Sequence, residues 1–170
     1  MATPALVSVS EYLDTTYRPD QELLDGILVE RNVGDNDHSR LQRALVGLMF
    51  QKEREWSILG LPEQRIRVSA TRYRIPHVCV ISLDYRKEPV LTTPPLVCIE
   101  VPSKDDTLNS LLERIDDYRA FGVSNIWVLD PAKRRAYVCQ QGDFREALNV
   151  LEVQNTPIRI TLSELFAYLD

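Results

Sequence analysis

The sequence has few of the features that would place a protein in a bilayer or an oxidising compartment. Its three cysteines, Cys79, Cys98 and Cys139, are odd in number and far apart, and two of them lie inside apolar runs. That pattern argues against a disulfide framework or a zinc site and for buried free thiols in a reducing cytoplasm. No stretch approaches the roughly 18 consecutive apolar residues that a spanning helix needs. Residues 1–10 have no basic region ahead of an apolar one, so no membrane partner and a cytoplasmic location are expected. Positive charge is in deficit, with 20 Lys and Arg against 25 Asp and Glu and a net charge of -5. This excludes a global attraction for nucleic acid, so any DNA binding must come from a local patch and be weak. Repeats, linkers, a glycine-rich phosphate loop and a His-rich tract are all missing. What is present, 170 residues of which 44% are hydrophobic, suits one domain spanning residues 1–170 with a substantial core.

The chain is organised around residues 75–101. Two short runs, Pro76-His77-Val78-Cys79-Val80-Ile81 and Leu96-Val97-Cys98-Ile99-Glu100-Val101, are dense in β-branched residues and bounded by Pro, Asp or Thr. They read as a pair of core strands. Each carries one ionisable side chain, His77 in the first and Glu100 in the second. Such groups rarely occupy central strands unless they are paired or bound to a metal. The two are expected to project from neighbouring strands into one open pocket.

Around this pair the elements follow from local pattern. Ser8-Val9-Ser10-Glu11 has capping-box spacing and predicts a short helix over residues 10–14. Gln21 to Glu30 has two apolar arms around Asp25-Gly26, a hairpin signal. Leu41, Leu45, Leu48 and Met49 recur with helical spacing, which predicts an amphipathic helix capped by Asp37. His38 then reads first as a capping or surface residue, and Arg40, Arg43 and Arg54 as a solvated face. Glu63 to Val68 alternates like a half-covered strand. Arg65, Arg67, Arg72 and Arg74, with Tyr73 between the last two, form the one convincing basic patch and the candidate nucleic-acid-binding surface; a solvated strand edge is the alternative.

Residues 83–95 are a charged, proline-rich connector. Asp106 is placed to cap a helix over residues 107–121, with Leu108, Leu111, Leu112 and Ile115 as its buried stripe and Gly122 as its end. Asn125 to Asp130 is a buried strand, so strand, helix and strand make a βαβ crossover with a parallel pair. Residues 135–139 and 147–153 suggest antiparallel strands around Gln141-Gly142-Asp143. Thr161-Leu162-Ser163-Glu164 opens a last helix running through Tyr168.

These residues resemble a known family. Pro76-His77 followed, 23 residues on, by Glu100-Val101-Pro102-Ser103 is similar to the P-D-V and E-V-x-S pattern of the Uma-type restriction endonucleases in the PD-(D/E)XK nuclease superfamily. Glu22-Leu23-Leu24-Asp25-Gly26-Ile27-Leu28-Val29-Glu30 is similar to the family's E-L-I-D-G-x-L-V-E opening. Tyr118, Gly122, Val123, Trp127, Val128, Asp130 and Pro131 match its Y-x-x-x-G-V-x-x-x-W-V-x-D-P. The resemblance implies an α/β fold with a restriction-endonuclease-like core: a mixed central sheet flanked by helices, an antiparallel hairpin region and one βαβ crossover. It implies Glu100 and the residue at position 77 as metal ligands for Mg²⁺ or Mn²⁺, Glu22 as an accompanying acid, and His38 as a match to a family histidine. Arg114 stands at the family's catalytic lysine, with Lys104 as a substitute that could reach inward from the turn.

The chain departs from the pattern at position 77, where His replaces the metal-binding Asp. Mg²⁺ wants hard oxygen ligands in an octahedral shell, and a neutral imidazole suits softer ions. Arg114 can clamp a phosphate but cannot shuttle a proton at ordinary pH. Three readings stay open. One is a metal-dependent endonuclease acting on DNA, its activity reduced by His77. Another is a nuclease fold without catalysis, kept as a DNA-binding or protein-interaction module. The last is an ordinary α/β protein with a satisfied core histidine and a paired buried carboxylate. A small nuclease that must cut both strands is also a candidate homodimer, although no segment identifies an interface.

Overall fold

A computed structural model describes residues 5–140 and 143–170. The first helix, α1 (Val9–Asp14), begins at Ser8, whose hydroxyl accepts from the Glu11 backbone N–H at 3.1 Å. β1 (Gln21–Leu24) and β2 (Ile27–Glu30) form the hairpin that the Asp-Gly pair announces. Asp25 and Gly26 both take positive φ, 52° and 87°, the conformation a tight two-residue turn demands. After α2 (Asn36–Trp56) come β3 (Ile58–Pro62), β4 (Ile66–Arg67) and β5 (Arg72–Arg74). Strands β2-β1-β5-β4 make one four-stranded antiparallel sheet, which closes over Tyr12, Leu23 and Tyr73.

The larger sheet holds the core. β6 (Val78–Ser82) pairs antiparallel with β7 (Val97–Glu100), and β7 pairs in parallel with β8 (Asn125–Asp130) through α3 (Leu108–Phe121). This is the expected crossover. β9 (Arg135–Gln140) and β10 (Asp143–Ala147) extend it to the order β10-β9-β8-β7-β6-β3, a mixed sheet. β11 (Val150–Glu152) and β12 (Arg159–Thr161) form a separate hairpin before α4 (Leu162–Ala167). One face of the six-stranded sheet packs on α2, α4 and the β11–β12 hairpin through Leu45, Met49, Val80, Ile99, Trp127, Leu151 and Leu165. The other packs on α3 through Cys79, Ile81, Cys98, Ile115, Tyr118 and Val128. Cys79 and Cys98 face each other across β6 and β7 as free, buried thiols, and burial pushes the Cys79 thiol up to about 12.

Several local expectations shift. The cap of α2 is Asp35, accepting from the His38 N–H, and not Asp37. The cap of α3 is Thr107 rather than Asp106, which instead accepts from the Ser103 N–H and hydroxyl. The buried stripe of α3 also moves. Leu108 and Leu112 are exposed, and Arg114, Ile115 and Tyr118 are buried, so polar contacts to the sheet set the helix rotation in place of leucine packing. β3 is masked in the sequence by Gly60 and Pro62, which punctuate its apolar run, and it survives as an edge strand where such residues are tolerated. Thr161 starts α4 without capping a backbone N–H, its hydroxyl turning to Glu164 at 3.4 Å. The expected turn at Gln141-Gly142 lies outside the described residues.

Gly60 shows how closely β3 and α2 approach. A Cβ built on it would stand 2.7 Å from Met49 Sδ and 2.9 Å from Met49 Cβ. Gly60→Ala is therefore expected to destabilise the fold by about 1–3 kcal/mol through overpacking. Urea titration of Gly60→Ala, Met49→Ala and the double variant checks this. Steric coupling makes the double variant less destabilised than the sum of the singles.

Candidate functional site

Side-chain parity assembles the site. Along β6, Val78 and Val80 face α2 while Cys79 and Ile81 face α3, so His77 falls on the α3 side. Along β7, Val97 and Ile99 face α2, so Glu100 shares the α3 side with Cys98. The register that pairs Val78 with Ile99 then sets His77 opposite Glu100. The two touch, with His77 Nδ1 2.6 Å from Glu100 Oε2. They are 3% and 0% exposed, so the shared open pocket that the sequence suggests is replaced by a closed contact. With Glu100 ionised, the shorter contact decides the direction: Nδ1 carries a proton and donates to Oε2. The Val101 N–H, 3.2 Å from the same nitrogen, is the weaker competitor.

Glu100 is surrounded by donors. The Tyr118 hydroxyl donates to Oε1 at 2.5 Å, Arg114 Nη1 lies 3.4 Å from Oε2, and Arg31 Nη1 lies 3.7 Å from it. Burial alone would push this carboxyl upward. The charge and hydrogen bond of His77 and the charges of Arg114 and Arg31 outweigh it, holding Glu100 well below the usual carboxylate range. Burial and the neighbouring Glu100 push Tyr118 far above a normal phenol, so it remains a donor.

Glu22 joins from the smaller sheet. The pairing of Leu23 with Tyr73 sets Glu22 opposite Arg74, whose Nη1 donates to Oε2 at 2.8 Å. The Ile75 N–H donates to Oε1 at 2.9 Å, and Arg31 Nη1 is 3.7 Å from that atom. Arg114 Nε lies 3.8 Å from Oε2, so Arg31 and Arg114 each reach both carboxylates. A further ring surrounds this core. Asp117 accepts from Arg74 Nε at 2.6 Å and from Arg72 Nη2 at 3.0 Å, and Arg72 also pairs with Asp25 and Glu113.

His38 is a correction to the surface reading. It is 5% exposed and meets the His77 ring edge-on, with centroids 4.6 Å apart. Burial, helped by the charges of His77 and Arg31, pushes it down to about 4, so it is neutral at pH 7.

The structure thus brings together Glu100, His77, Glu22 and Arg114 from the candidate set, and adds Arg31, His38 and Tyr118. Arg31 directly follows the hairpin motif that ends at Glu30, and Tyr118 carries only an architectural signal in the sequence. Lys104 does not turn inward; it is exposed on the turn and lines a neighbouring cavity of about 570 Å³ with Ser103, Asp106 and Lys133. The basic patch is divided. Arg74 is buried and Arg72 is engaged by carboxylates, and Tyr73 is an interior residue packed near Tyr12. Arg65 lies over the Tyr12 ring, 4.5 Å from its centroid, and Arg67 is exposed.

These residues do not fit a divalent ion. Mg²⁺ or Mn²⁺ needs several free oxygen ligands. Both oxygens of Glu100 already accept from protein donors, Oε1 from Tyr118 and Oε2 from His77 and Arg114, with the charge of Arg31 beside them. Among the described residues no group of three or more His, Cys, Asp or Glu side chains is placed to hold a metal.

Comparison with known proteins agrees with the architecture. The sequence model of the family described as "Uma2: Putative restriction endonuclease" matches residues 9–169. The crystal structure of a putative nuclease belonging to DUF820 from Anabaena variabilis ATCC 29413 superposes with a TM-score of 0.83 at 16% identity, covering 96% of this chain and 99% of that one. A DrdV–DNA complex matches with a TM-score of 0.43 at 14% identity, over 76% of this chain and 11% of that one. No curated protein matches the chain.

Two outcomes follow from the site's electrostatics. Arg74→Met removes one partner of the buried pair with Glu22 and is expected to cost about 3–5 kcal/mol, whereas Arg67→Met, at an exposed position, stays within about 0.5 kcal/mol. Urea midpoints compare them. For pH, His38 has a folded value of about 4 against an ordinary 6.5, so the unfolded chain binds more protons between these values. Stability is therefore highest above pH 6.5 and falls as the pH drops towards 4. The loss attributable to His38 should exceed about 1 kcal/mol. Comparing native and His38→Gln stability at several pH values isolates it, and equal slopes would remove the assignment.

Proposed function

The chain belongs to the Uma2 family of putative restriction endonucleases, and on that premise we propose that it engages DNA through a nuclease scaffold without hydrolysing the phosphodiester. The observation that carries the absence of hydrolysis is the engagement of both Glu100 oxygens by protein donors. Both of its oxygens are held by protein donors, the His77 imidazole at 2.6 Å and the Tyr118 hydroxyl at 2.5 Å. Metal-assisted hydrolysis needs a carboxylate free to hold an ion that activates water and screens the developing charge. The competing reading, a Mg²⁺- or Mn²⁺-dependent endonuclease with Glu100 and His77 as ligands and Glu22 beside them, requires Glu100 to surrender those contacts. Arg114 would have to leave its buried carboxylates to reach a phosphate.

For DNA, family membership supplies the premise and the exposed cations supply the contacts. Arg67 and the less exposed Arg65 remain from the basic patch, with Lys104 and Lys133 at the neighbouring cavity. Arg72 and Arg74 already neutralise Asp25, Glu22, Glu113 and Asp117, so they support this surface from beneath. Retention should be weak and steeply salt-dependent, given a net charge of -5.

Plasmid nicking and DNA retention test the reading on one preparation. With Mg²⁺ or Mn²⁺, the native chain is expected to nick no faster than Glu100→Gln. Replacing Arg65 and Arg67 by Gln should weaken retention and reduce its salt slope by about one for each phosphate that is no longer neutralised. Metal-dependent nicking that disappears in Glu100→Gln would establish an enzyme instead. Unchanged retention in the double variant would show Arg65 and Arg67 to be a solvated edge.

A further inference from the structure

We infer that the counter-cation of this centre is the chain's own Arg31, seated with Arg114 between Glu22 and Glu100 in the place where the nuclease pattern implies a divalent ion. The inference rests on the reading of the chain as a nuclease scaffold. Arg31 Nη1 is 3.7 Å from Glu22 Oε1 and 3.7 Å from Glu100 Oε2. It stands between the two sheets, equally distant from a carboxylate on each.

The way Arg31 is held is unlike an ordinary fork-to-fork pair with one carboxylate. Its Nε and Nη1 are buried without a hydrogen-bond partner, and its separations exceed the 2.7–2.9 Å of a charge-assisted hydrogen bond. It therefore acts chiefly as a charge shared among acids, the buried Glu22 and Glu100 and the exposed Glu63, whose Oε2 is 3.7 Å from Nη2. Arg114 repeats the arrangement from α3, with Nη1 3.4 Å from Glu100 and Nε 3.8 Å from Glu22. Together the two guanidinium groups supply the same double positive charge that one divalent ion would.

His77 completes the substitution. A carboxylate at that position would set a second negative charge against Glu100, whereas an imidazole donating Nδ1–H to Glu100 adds none. An arriving Mg²⁺ or Mn²⁺ would meet two resident cations and no unoccupied carboxylate oxygen on Glu100. The centre is thus complete without metal. Arg31 is a positioning residue in this account, since it sets the spacing of Glu22 and Glu100 across the two sheets.

The test reads metal binding and thermal unfolding, independently of any activity. Titrating Mn²⁺ into the native chain is expected to give no binding tighter than about 5 mM and a midpoint shift below about 1 °C relative to EDTA. Arg31→Met should unfold at a lower temperature in EDTA and regain several degrees in Mn²⁺, a recovery that disappears when Glu100→Gln is added. Arg31→Lys, which keeps the charge, should stay insensitive to metal. Native Mn²⁺ binding that is lost in Glu100→Gln would overturn the inference, as would a folded Arg31→Met variant without any Mn²⁺ response. Should Arg31→Met fail to fold, the native titration and Arg31→Lys still decide: Mn²⁺ stabilisation of either chain refutes the assignment, and insensitivity of both supports it. Measuring DNA retention of the native chain in EDTA separates the two readings. No retention there, with metal insensitivity intact, would sink the DNA reading and leave Arg31 in place.

Discussion

A carboxylate with no access to water imposes itself on everything around it. Glu100 is fully buried, and burying an ionised acid is costly unless charge and hydrogen bonds replace the lost hydration. The fold meets that demand from three directions: His77 across the strand, Tyr118 and Arg114 from α3, and Arg31 from the end of the first hairpin. Those partners tie the larger sheet to α3 and to the smaller sheet. The rotation of α3, which buries Arg114 and Tyr118 and leaves Leu108 and Leu112 exposed, is a consequence of this one requirement.

Much of this is legible in the sequence, and the failures share a cause. Alternation along two apolar runs is enough to place His77 and Glu100 on neighbouring strands, and the parity of Cys79 and Cys98 puts both groups on the same face. The Asp25-Gly26 turn, the βαβ crossover and the Gly122 stop are equally legible because short-range backbone preferences fix them. The character of the site is not. Whether two facing ionisable groups open onto solvent or close on each other depends on side chains arriving from distant segments, and Arg31, His38 and Tyr118 carry no local mark of burial.

The arginines show the same limit from the other side. Arg72 and Arg74, flanking Tyr73, look like a phosphate-contacting edge when only chain proximity is known. In three dimensions β5 lies beside β1 and near α3, and its arginines become counter-ions to Glu22, Asp25, Glu113 and Asp117. A guanidinium serves both roles with the same donors. Only the location of the acids separates them, and those acids lie roughly 40 to 50 residues away in sequence.

A buried ionic cluster can be replaced by apolar side chains, often with no loss of stability. What resists that route here is coupling. Glu22 also receives the Ile75 N–H, Glu100 also receives the Tyr118 hydroxyl, and Arg74 also serves Asp117. Removing any one member leaves a buried partner uncompensated, so single substitutions meet a barrier that a concerted replacement would not. His77 is tied into the same network: it donates to Glu100 without adding a negative charge, while Arg31, Arg74 and Arg114 face the two buried acids. The ionic pattern is thereby fixed as architecture, because each buried charge answers to more than one partner.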